Sequence, residues 1–419
     1  MMRTERFFRK IKDLLIQSIL PLYCLHKNIL VWRLRRKEQI NVVFFAMSVS
    51  MWRYQNLYEE FRKYPRFNVS IVLAPSITYS VEQQNKDIEM LKKYFDQKGI
   101  KYIVGIKDQT PLIDLKQDLQ PDILFYPQPY RRVLHKAFDY PNFLHKLLCY
   151  YPYAFWMSTG NWSFNQPLHY CGWRVFYSTT LHKKEAEVCS LNRGRNVEVV
   201  GYPNSDNFLF KEHKDVWKMQ KERKKRLIWA PHFSIVPGGN LEQSNFLWMA
   251  DIMLELAQNY KDRIQFAFKP HPRLFTELCN HPDWGEKKAL SYYEQWNTGG
   301  NTQLETGEFI DLFMTSDAMI HDSGSFCVEY HYTQNPVMYM AKNFEEQVAV
   351  KSQFGKLAMQ QQYVGKDRKD ILSFVEEVVM KGNDYMKEER EKFVAQYLVP
   401  PHGKTVAENT IDVFLKNFC

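Results

Sequence analysis

The chain has 419 residues, of which 45% are apolar and 15% aromatic, and this length predicts two domains with cores of their own. Its seven cysteines are scattered without a Cys-x-x-Cys pair, which excludes a zinc framework and a secreted disulfide scaffold and favours a reducing, cytosolic compartment. The formal net charge of +9 indicates an anionic partner.

The first segment, residues 1–38, is basic and amphipathic. Its apolar runs are short and are interrupted by Gln17, Pro21, His26 and Lys27, so we do not expect a spanning helix, which needs about twenty largely apolar residues. No small-residue cleavage site follows, which argues against a signal peptide. We expect a helix pair that lies on an anionic membrane surface. The alternative is an ordinary amphipathic helix packed on its own domain.

From residue 40 onward, predicted strands alternate with predicted helices. The strands are expected at 41–48, 68–74, 101–106, 122–126, 153–157, 174–177 and 196–200, and the helices at 54–64 and 81–97. This alternation is typical of a mostly parallel sheet with right-handed crossovers. We therefore predict one Rossmann-like, doubly wound domain over residues 39–205.

A charged stretch, residues 211–226, favours a solvated helix, and we assign residues 206–226 to a linker helix. The alternation then restarts and predicts a second Rossmann-like domain over 227–385, with C-terminal helices over 386–419. Strands are expected at 227–230, 264–269, 318–320 and 336–340, and helices at 244–259, 326–332, 368–382, 385–397 and 404–417. Two such domains in succession predict facing sheets with a ligand-binding cleft.

A small polar turn follows the predicted strand 318–320 and reads His321-Asp322-Ser323-Gly324-Ser325. In open α/β sheets, ligands bind outside the carboxyl ends of strands, where free N–H groups of the next helix favour phosphate. Glu329, further along that helix, could accept hydrogen bonds from a ribose. The alternative is that Asp322 or Ser323 only caps the helix.

Two further strands of this domain end in polar clusters, one at Pro231-His232 and one running from Lys269 through His271 to Arg273. Because parallel strands end at the same edge of a sheet, we expect these clusters to meet the His321 turn. Arg273 can grip phosphate oxygens with two hydrogen bonds, and Lys269 can act as a point charge. The clusters predict a diphosphate site with an imidazole acid/base.

Two alternatives remain for these histidines. Each one taken alone could be a structural residue with satisfied hydrogen bonds. A metal site built from His232, His271, His321 and Asp322 lacks any recognised ligand spacing, so no metal is expected.

Four motifs, in order over residues 196–342, resemble those of the CDP-glycerol glycerophosphotransferases, the family of teichoic-acid primases and polymerases. The motifs are Gly201-Tyr202-Pro203 with Asp206 ("GYP…D"), Ala230-Pro231-His232-Phe233 ("APTFR"), Lys269-Pro270-His271-Pro272 ("K-x-HP"), and Asp322-Ser323-Gly324-Ser325 with Glu329 and Pro336 ("TDYSS…D…kP"). The resemblance implies the two-domain glycosyltransferase-B (GT-B) architecture.

Members of that family displace CMP from CDP-glycerol and move glycerol phosphate to an acceptor hydroxyl. The resemblance implies that His271, with His232 as a second catalytic candidate, acts on the phosphoryl group as acid/base or as an electrostatic stabiliser. Ser323 and Ser325 would hold the donor phosphates, and Glu329 the ribose. The "GYP…D" residues Gly201, Pro203 and Asp206 are assigned to an interdomain motif.

The sequence departs from the family on the acceptor side. The best match to the "HGT-x-x-K" acceptor motif is Ser158-Thr159-Gly160-Asn161, which has no histidine. The threonine and arginine of "PTFR" are replaced by His232 and Ser234, and the tyrosine of "DYSS" by Gly324. We therefore expect a divergent branch that acts on a capsule, lipopolysaccharide or other cell-envelope glycan.

These observations predict a peripheral enzyme on the cytoplasmic face of the cell membrane. It would transfer a phosphopolyol from CDP-glycerol or a related CDP-polyol to a hydroxyl of a lipid-linked or surface glycan. No cofactor is expected beyond the CDP-linked donor, which is a substrate, and no nucleic-acid partner is expected. The alternatives are a GT-B glycosyltransferase that uses a nucleotide sugar and a non-catalytic membrane-associated binding protein.

Overall fold

The computed structural model describes residues 2–235, 244–324 and 326–419, with side chains from residue 13 onward. The chain divides into two compact units. The first unit comprises Met1–Asp206 together with Tyr397–Cys419, and the second comprises Asn207–Gln396.

The first unit is built on a parallel sheet of seven strands. Its order is β3-β2-β1-β6-β7-β8-β9, and β4 and β5 form a separate antiparallel pair. The strands are β1 (Ile40–Ala46), β2 (Phe67–Leu73), β3 (Ile103–Val104), β4 (Ile106–Lys107), β5 (Thr110–Pro111), β6 (Ile123–Tyr126), β7 (Leu147–Tyr150), β8 (Arg174–Tyr177) and β9 (Val197–Val199). Strands β1, β6 and β7 are almost wholly buried apolar runs, as expected for a parallel sheet covered on both faces.

Helices flank this sheet. They are α1 (Met2–Leu34), α2 (Gln55–Arg62), α3 (Val81–Gln97), α4 (Asn161–Phe164), α5 (Pro167–Cys171), α6 (Thr180–Cys189) and α7 (Ser205–Leu209), which ends in the second unit. The N-terminal segment is one continuous helix that contains Pro21, so the prediction of a helix pair is wrong. Its inner face carries Leu20, Lys27, Val31 and Leu34, which are buried.

The second unit is built on a parallel sheet of six strands in the order β12-β11-β10-β13-β14-β15. The strands are β10 (Lys225–Ala230), β11 (Ile264–Phe268), β12 (Thr302–Leu304), β13 (Ala318–His321), β14 (Val337–Met340) and β15 (Tyr363–Gly365). Aromatic rings form the core beside the central strand. The Trp229 ring stacks on Phe246 and Phe268 at centroid distances of 5.5 and 4.9 Å.

The helices of the second unit lie between and after these strands. They are α8 (Phe246–Asn259), α9 (Leu274–Cys279), α10 (Gly285–Thr298), α11 (Ile310–Met314), α12 (Phe326–Glu329), α13 (Phe344–Ala349), α14 (Gln353–Gln360), α15 (Arg368–Ser373) and α16 (Lys387–Phe393). The last helix of the chain, α17 (Val406–Phe418), belongs to the first unit. The segment expected as separate C-terminal helices over 386–419 is thus divided between the two units.

Two local predictions were wrong. The strand expected at 153–157 lies instead at β7, where Leu147 to Tyr150 pair with β6. The linker helix expected at 211–226 does not form, because the backbone of Lys218 bonds the side chains of Gln303 (2.8 Å) and Gln265 (2.8 Å) on β12 and β11. These tertiary hydrogen bonds replace the i to i−4 bonds that a helix would make.

Candidate active site

Three neighbouring strands of the second unit, β11, β10 and β13, bring polar residues together at their carboxyl ends. His271 follows β11, His232 follows β10 and Asp322 follows β13. The His271 backbone N–H donates to the Pro231 carbonyl (3.0 Å), and the His232 backbone N–H donates to Asp322 Oδ1 (2.6 Å). The structure therefore places these predicted residues at one edge of the sheet.

The His232 and His271 imidazoles contact each other edge-on, with ring centroids 5.1 Å apart and planes at 61°. His271 Nδ1 accepts from the Arg273 backbone N–H (3.2 Å), and His232 Nδ1 accepts from the Ser234 N–H (3.3 Å). A neutral ring whose Nδ1 is an acceptor carries its proton on Nε2. Among the described residues, neither Nε2 has a hydrogen-bond partner, so both rings can donate to a ligand.

Both imidazoles are neutral near pH 7. Burial lowers the pKa of His271 to about 3, and the neighbouring His232, Arg273 and Lys269 side chains act in the same direction. Burial likewise lowers the pKa of His232 to about 4, with a smaller effect of Arg273. A bound anion would favour protonation and raise both values.

An exposed cation lies beside this imidazole pair. The Arg273 guanidinium stacks over the Phe233 ring at 4.2 Å, and Phe233 contacts His271 with ring centroids 4.5 Å apart. Arg273 Nη2 also bonds Glu277 Oε1 at 2.8 Å, a partner that a phosphate could replace. The sequence assigned no role to Phe233, although it lies inside a motif, because a lone aromatic residue carries no signal of stacking.

Asp322 is a buried anchor. Its Oδ2 accepts from the Asn245 backbone N–H (2.5 Å), and Oδ1 holds the His232 backbone. Burial raises the pKa of Asp322 to about 6, and these hydrogen bonds oppose the rise. Asn245 immediately precedes α8, and no sequence pattern marked it for this role. Asp322 therefore positions the loop that carries His232, and both of its carboxylate oxygens already accept hydrogen bonds from the protein.

Two other predicted ligands point into the protein. Lys269 Nζ donates to the Gly307 carbonyl (2.7 Å), and burial lowers the Lys269 pKa to about 8. His321 Nε2 donates to Gln362 Oε1 (2.8 Å) while its Nδ1 accepts from the Ser323 N–H (3.2 Å). Both side chains hold neighbouring loops in place. The half-buried His232 and His271 and the exposed Arg273 are therefore the groups that can contact a ligand.

The turn after β13 is only partly described. Ser323 is buried, and Gly324 is exposed, with no atom of the described residues within 4 Å of an added Cβ. Glu329 is buried at the end of α12, and Ser325 lies outside the described residues. Helix α12 has four residues and continues as a short 3-10 turn, so its dipole is weaker than a long helix would supply.

In the first unit, the stretch predicted for the acceptor side lies before α4. Ser158 and Thr159 are exposed, and Thr159 Oγ1 donates to Glu185 Oε2 at 2.7 Å. Gly160 has a φ of +89°, and Asn161 begins α4. The predicted residues thus form an exposed turn.

The motif of Gly201, Pro203 and Asp206 holds α17 in the first unit. Asp206 Oδ1 and Oδ2 accept from the backbone N–H groups of Val406 (2.7 Å) and Ala407 (3.0 Å), which open that helix. Gly201 has a φ of +106°, and a Cβ there would lie 2.6 Å from Val406 Cγ2. Pro203 is buried in the same turn. Within this unit the motif therefore has a structural role.

A metal site is the alternative explanation for the histidines at the carboxyl edge of the second sheet. Within residues 2–235, 244–324 and 326–419, no group of three or more His, Cys, Asp or Glu side chains is arranged to hold a metal ion. His321, one member of the alternative metal set, has both ring nitrogens in hydrogen bonds.

Several solved structures resemble the chain in fold. The wall teichoic acid polymerase TagF aligns over 99% of this chain and 97% of its own, with a TM-score of 0.59 and 12% identity. MnaA from S. aureus with UDP covers 91% and 98%, with a TM-score of 0.56 and 13% identity. The UDP-GlcNAc 2-epimerase from Neisseria meningitidis with UDP-GlcNAc covers 90% and 100%, with a TM-score of 0.55 and 14% identity.

At these identities the similarity establishes the fold alone. It confirms the predicted α/β class with two parallel-sheet domains of GT-B type. A comparison with curated protein sequences gives no match. A protein-family profile, by contrast, matches residues 173–409, more than half of the chain, and confirms the resemblance drawn from the four motifs. The chain belongs to the CDP-glycerol:poly(glycerophosphate) glycerophosphotransferase family.

Proposed function

We propose that the protein transfers a phosphopolyol, with glycerol phosphate as the first candidate, from a CDP-activated donor to a hydroxyl of a lipid-linked or surface-glycan acceptor. CMP is the second product. The single observation that carries the proposal is the pair of neutral imidazoles, His232 and His271, beside the exposed Arg273 guanidinium in a chain of this family.

The chemistry follows from these groups. The acceptor oxygen attacks the phosphorus that bears the polyol, the P–O bond to CMP breaks, and CMP leaves with the electron pair. The acceptor proton passes to a base on the acceptor side. Phosphoryl transfer requires positioning and charge neutralisation more than covalent help. His271 Nε2–H would donate to a phosphate oxygen, and Arg273 would offset its charge.

The donor is tested by calorimetry of the full chain with CDP-glycerol, CDP-ribitol, CMP and UDP-sugars, followed by an assay of CMP release. We expect cytidine-dependent binding that Arg273→Gln weakens by about tenfold to a hundredfold, the worth of a hydrogen bond to a charged group. Arg263→Gln is the matched control, because Arg263 also stacks on an aromatic ring (Tyr260, 4.7 Å) and lies 3.8 Å from Glu376.

Three outcomes would contradict the proposal. Binding of a UDP-sugar in place of the cytidine compounds would indicate a glycosyltransferase. Failure to bind any nucleotide would indicate a binding protein without catalysis. An equal effect of Arg263→Gln and Arg273→Gln would remove Arg273 from the donor site.

The proposed location is the cytoplasmic membrane surface, with α1 as the contact. Residues Asp13–Leu34 are long and apolar enough to cross a membrane by length and composition alone. The polar interruptions in this segment therefore do not exclude a spanning helix, contrary to the expectation from the sequence. Two features support a helix that lies flat. Lys27 Nζ donates to the Leu144 carbonyl (2.9 Å) and to the Lys146 carbonyl, so the inner face is tied to the first unit.

The second feature is the outer face of α1, an apolar stripe in solvent. Its large exposed side chains are Leu14, Leu15, Ile19, Leu22, Leu25, Ile29 and Trp32. Basic residues follow at the end of the helix, where the Arg36 guanidinium stacks 3.6 Å over the Trp32 ring. An apolar stripe beside cations is typical of a helix in the plane of an anionic membrane.

Leu22→Ser combined with Leu25→Ser should lower binding to vesicles of phosphatidylglycerol and phosphatidylcholine by at least about tenfold. The reason is that two leucine side chains can no longer be buried among the lipid acyl chains. These side chains are 68% and 57% exposed, so folding should not change. Deleting residues 1–38 is a poorer test, since it removes Val31 and Leu34 from the core.

Val188→Ser with Met219→Ser is the control, because both side chains are exposed and lie outside α1. Unchanged vesicle binding by the leucine variant would place the membrane contact elsewhere. Resistance of the wild-type chain to carbonate extraction would show that α1 spans the bilayer.

A further inference from the structure

Aromatic side chains gather at the carboxyl edge of the first sheet. The loop after β6 carries Tyr130, the loop after β7 carries Trp156, and the short helix α4 that ends this loop carries Trp162. These strands are parallel neighbours, so their following loops lie side by side. The Trp162 indole stacks on Tyr130 with ring centroids 5.0 Å apart and planes at 25°. Trp162 is nevertheless 70% exposed, which leaves its other face open to solvent.

Trp156 supports the stacked pair of Trp162 and Tyr130. The Trp156 ring packs edge-on against Tyr130 with centroids 6.4 Å apart, and its indole N–H donates to the Tyr150 hydroxyl at the end of β7 (2.7 Å). The Trp156 carbonyl accepts from His182 Nε2 at 2.9 Å. This chain of contacts fixes the Trp162 platform before a ligand arrives, and pre-organisation lowers the entropy cost of binding.

Single exposed aromatic residues are common and need no explanation. Trp162 differs because it is stacked, supported, and placed at the sheet edge where α/β folds bind ligands. Arg131 and Arg132 directly follow Tyr130 and are exposed. Arg132 has a φ of +60°, a left-handed conformation that is strained for a residue with a Cβ. Arg131 Nε lies 3.8 Å from Asp139 Oδ2, so Arg132 is the one of these two arginines without a described carboxylate partner. A flat aromatic face on a loop that continues into a cation suits a sugar ring that carries a nearby anionic group.

We infer that Trp162 and Tyr130 form a stacking subsite for a pyranose ring of the acceptor. In this case the acceptor contains a sugar ring close to its anionic group and does not consist of polyol phosphate units alone. The role of this saccharide as the acceptor rests on the proposed function. The saccharide-binding subsite rests only on the geometry of the first unit.

Saturation-transfer NMR of the full chain tests this subsite. The probes are maltose, lactose and N,N′-diacetylchitobiose, with a glycerol phosphate trimer as the ring-free comparison. We expect at least one disaccharide to bind through one face of a ring. Trp162→Ala should weaken that binding by about threefold to tenfold, the worth of one aromatic stacking contact, and Trp162→Phe should retain most of it.

Tyr385→Ala is the matched control, because Tyr385 is another exposed aromatic residue that packs edge-on against a tyrosine, Tyr363. Equal binding by Trp162→Ala and the wild type, or no disaccharide binding, overturns the subsite. Trp162-dependent binding of the glycerol phosphate trimer alone overturns the pyranose assignment. Loss of vesicle binding without loss of sugar binding in Trp162→Ala would assign this face to lipid.

Donor turnover separates this inference from the proposed function. CMP release from CDP-glycerol should be the same in the control variant Tyr385→Ala and the wild type. Sugar binding without any CMP release would end the proposed function and leave the subsite intact.

Discussion

His271→Ala should lower kcat by about 10²- to 10⁴-fold, the range for loss of a positioned acid/base or oxyanion donor, while the free energy of unfolding changes by about 1 kcal/mol at most. His271 offers Nε2–H at the shared edge of β10 and β11, 5.1 Å between ring centroids from His232. Steady-state kinetics of CMP release, with urea unfolding of the same samples, measures both quantities. Near-normal turnover would remove His271 from the mechanism.

The chain contains a close structural match to this histidine. His281 Nδ1 accepts from the Asp283 backbone N–H at 3.2 Å, the same local turn that His271 makes with Arg273 at 3.2 Å. His281→Ala therefore removes the same backbone hydrogen bond at a different place in the second unit. We expect it to retain full activity, and an equal loss in both variants would mean that the turn matters and the imidazole does not.

His271→Gln distinguishes the two roles that the ring could have. The glutamine amide can donate a hydrogen bond near the Nε2 position but cannot exchange a proton at neutral pH. Because the pKa of the unliganded His271 is about 3, the ring is neutral at pH 7 and acts first as a donor. Partial activity in His271→Gln would support electrostatic stabilisation, and activity as low as in His271→Ala would support proton transfer.

Gly201→Ala should lower the free energy of unfolding by about 3 kcal/mol, from backbone strain and overpacking together. The φ of Gly201 is +106°, and an added Cβ would lie 2.6 Å from Val406 Cγ2 and 3.3 Å from Pro400 Cβ. Because Val406 opens α17, the added methyl group would push that helix from the first unit. Urea titration followed by far-UV circular dichroism measures the loss.

Gly99→Ala isolates the contribution of the backbone. Gly99 also has a positive φ, +64°, but in the described part of the chain nothing lies within 4 Å of its added Cβ. We expect a cost of about 1 kcal/mol there, the penalty of a left-handed conformation without a clash. If Gly201→Ala cost no more than Gly99→Ala, the close approach of Val406 would not be the reason for glycine in this motif.

Much of the candidate site could be predicted from the sequence because the patterns that indicate it extend over only a few consecutive residues. Buried apolar runs such as Leu227 to Ala230 mark strands, and strand–helix alternation makes neighbouring strands parallel. Residues that directly follow such strands must then lie at one edge, which is why His232 and His271 were expected together and are found together.

The direction of each side chain could not be predicted in this way. Lys269, His321 and Asp322 lie at the ends of the same three neighbouring strands as the two half-buried imidazoles, yet they point inward. Their partners are Gly307, Gln362 and Asn245, which lie 38, 41 and 77 residues away in the chain. No local pattern encodes a hydrogen bond between residues so far apart.

The sequence by itself determined the two parallel-sheet domains, the family and the strand ends that meet. These depend on hydrophobic period and on motifs, which are read over a few residues. The tertiary structure alone decided that 211–224 is not a helix, that α17 returns to the first unit, and that Trp162 stacks on Tyr130. Each of these depends on contacts between distant segments, whose free energy outweighs local propensity only after the chain has folded.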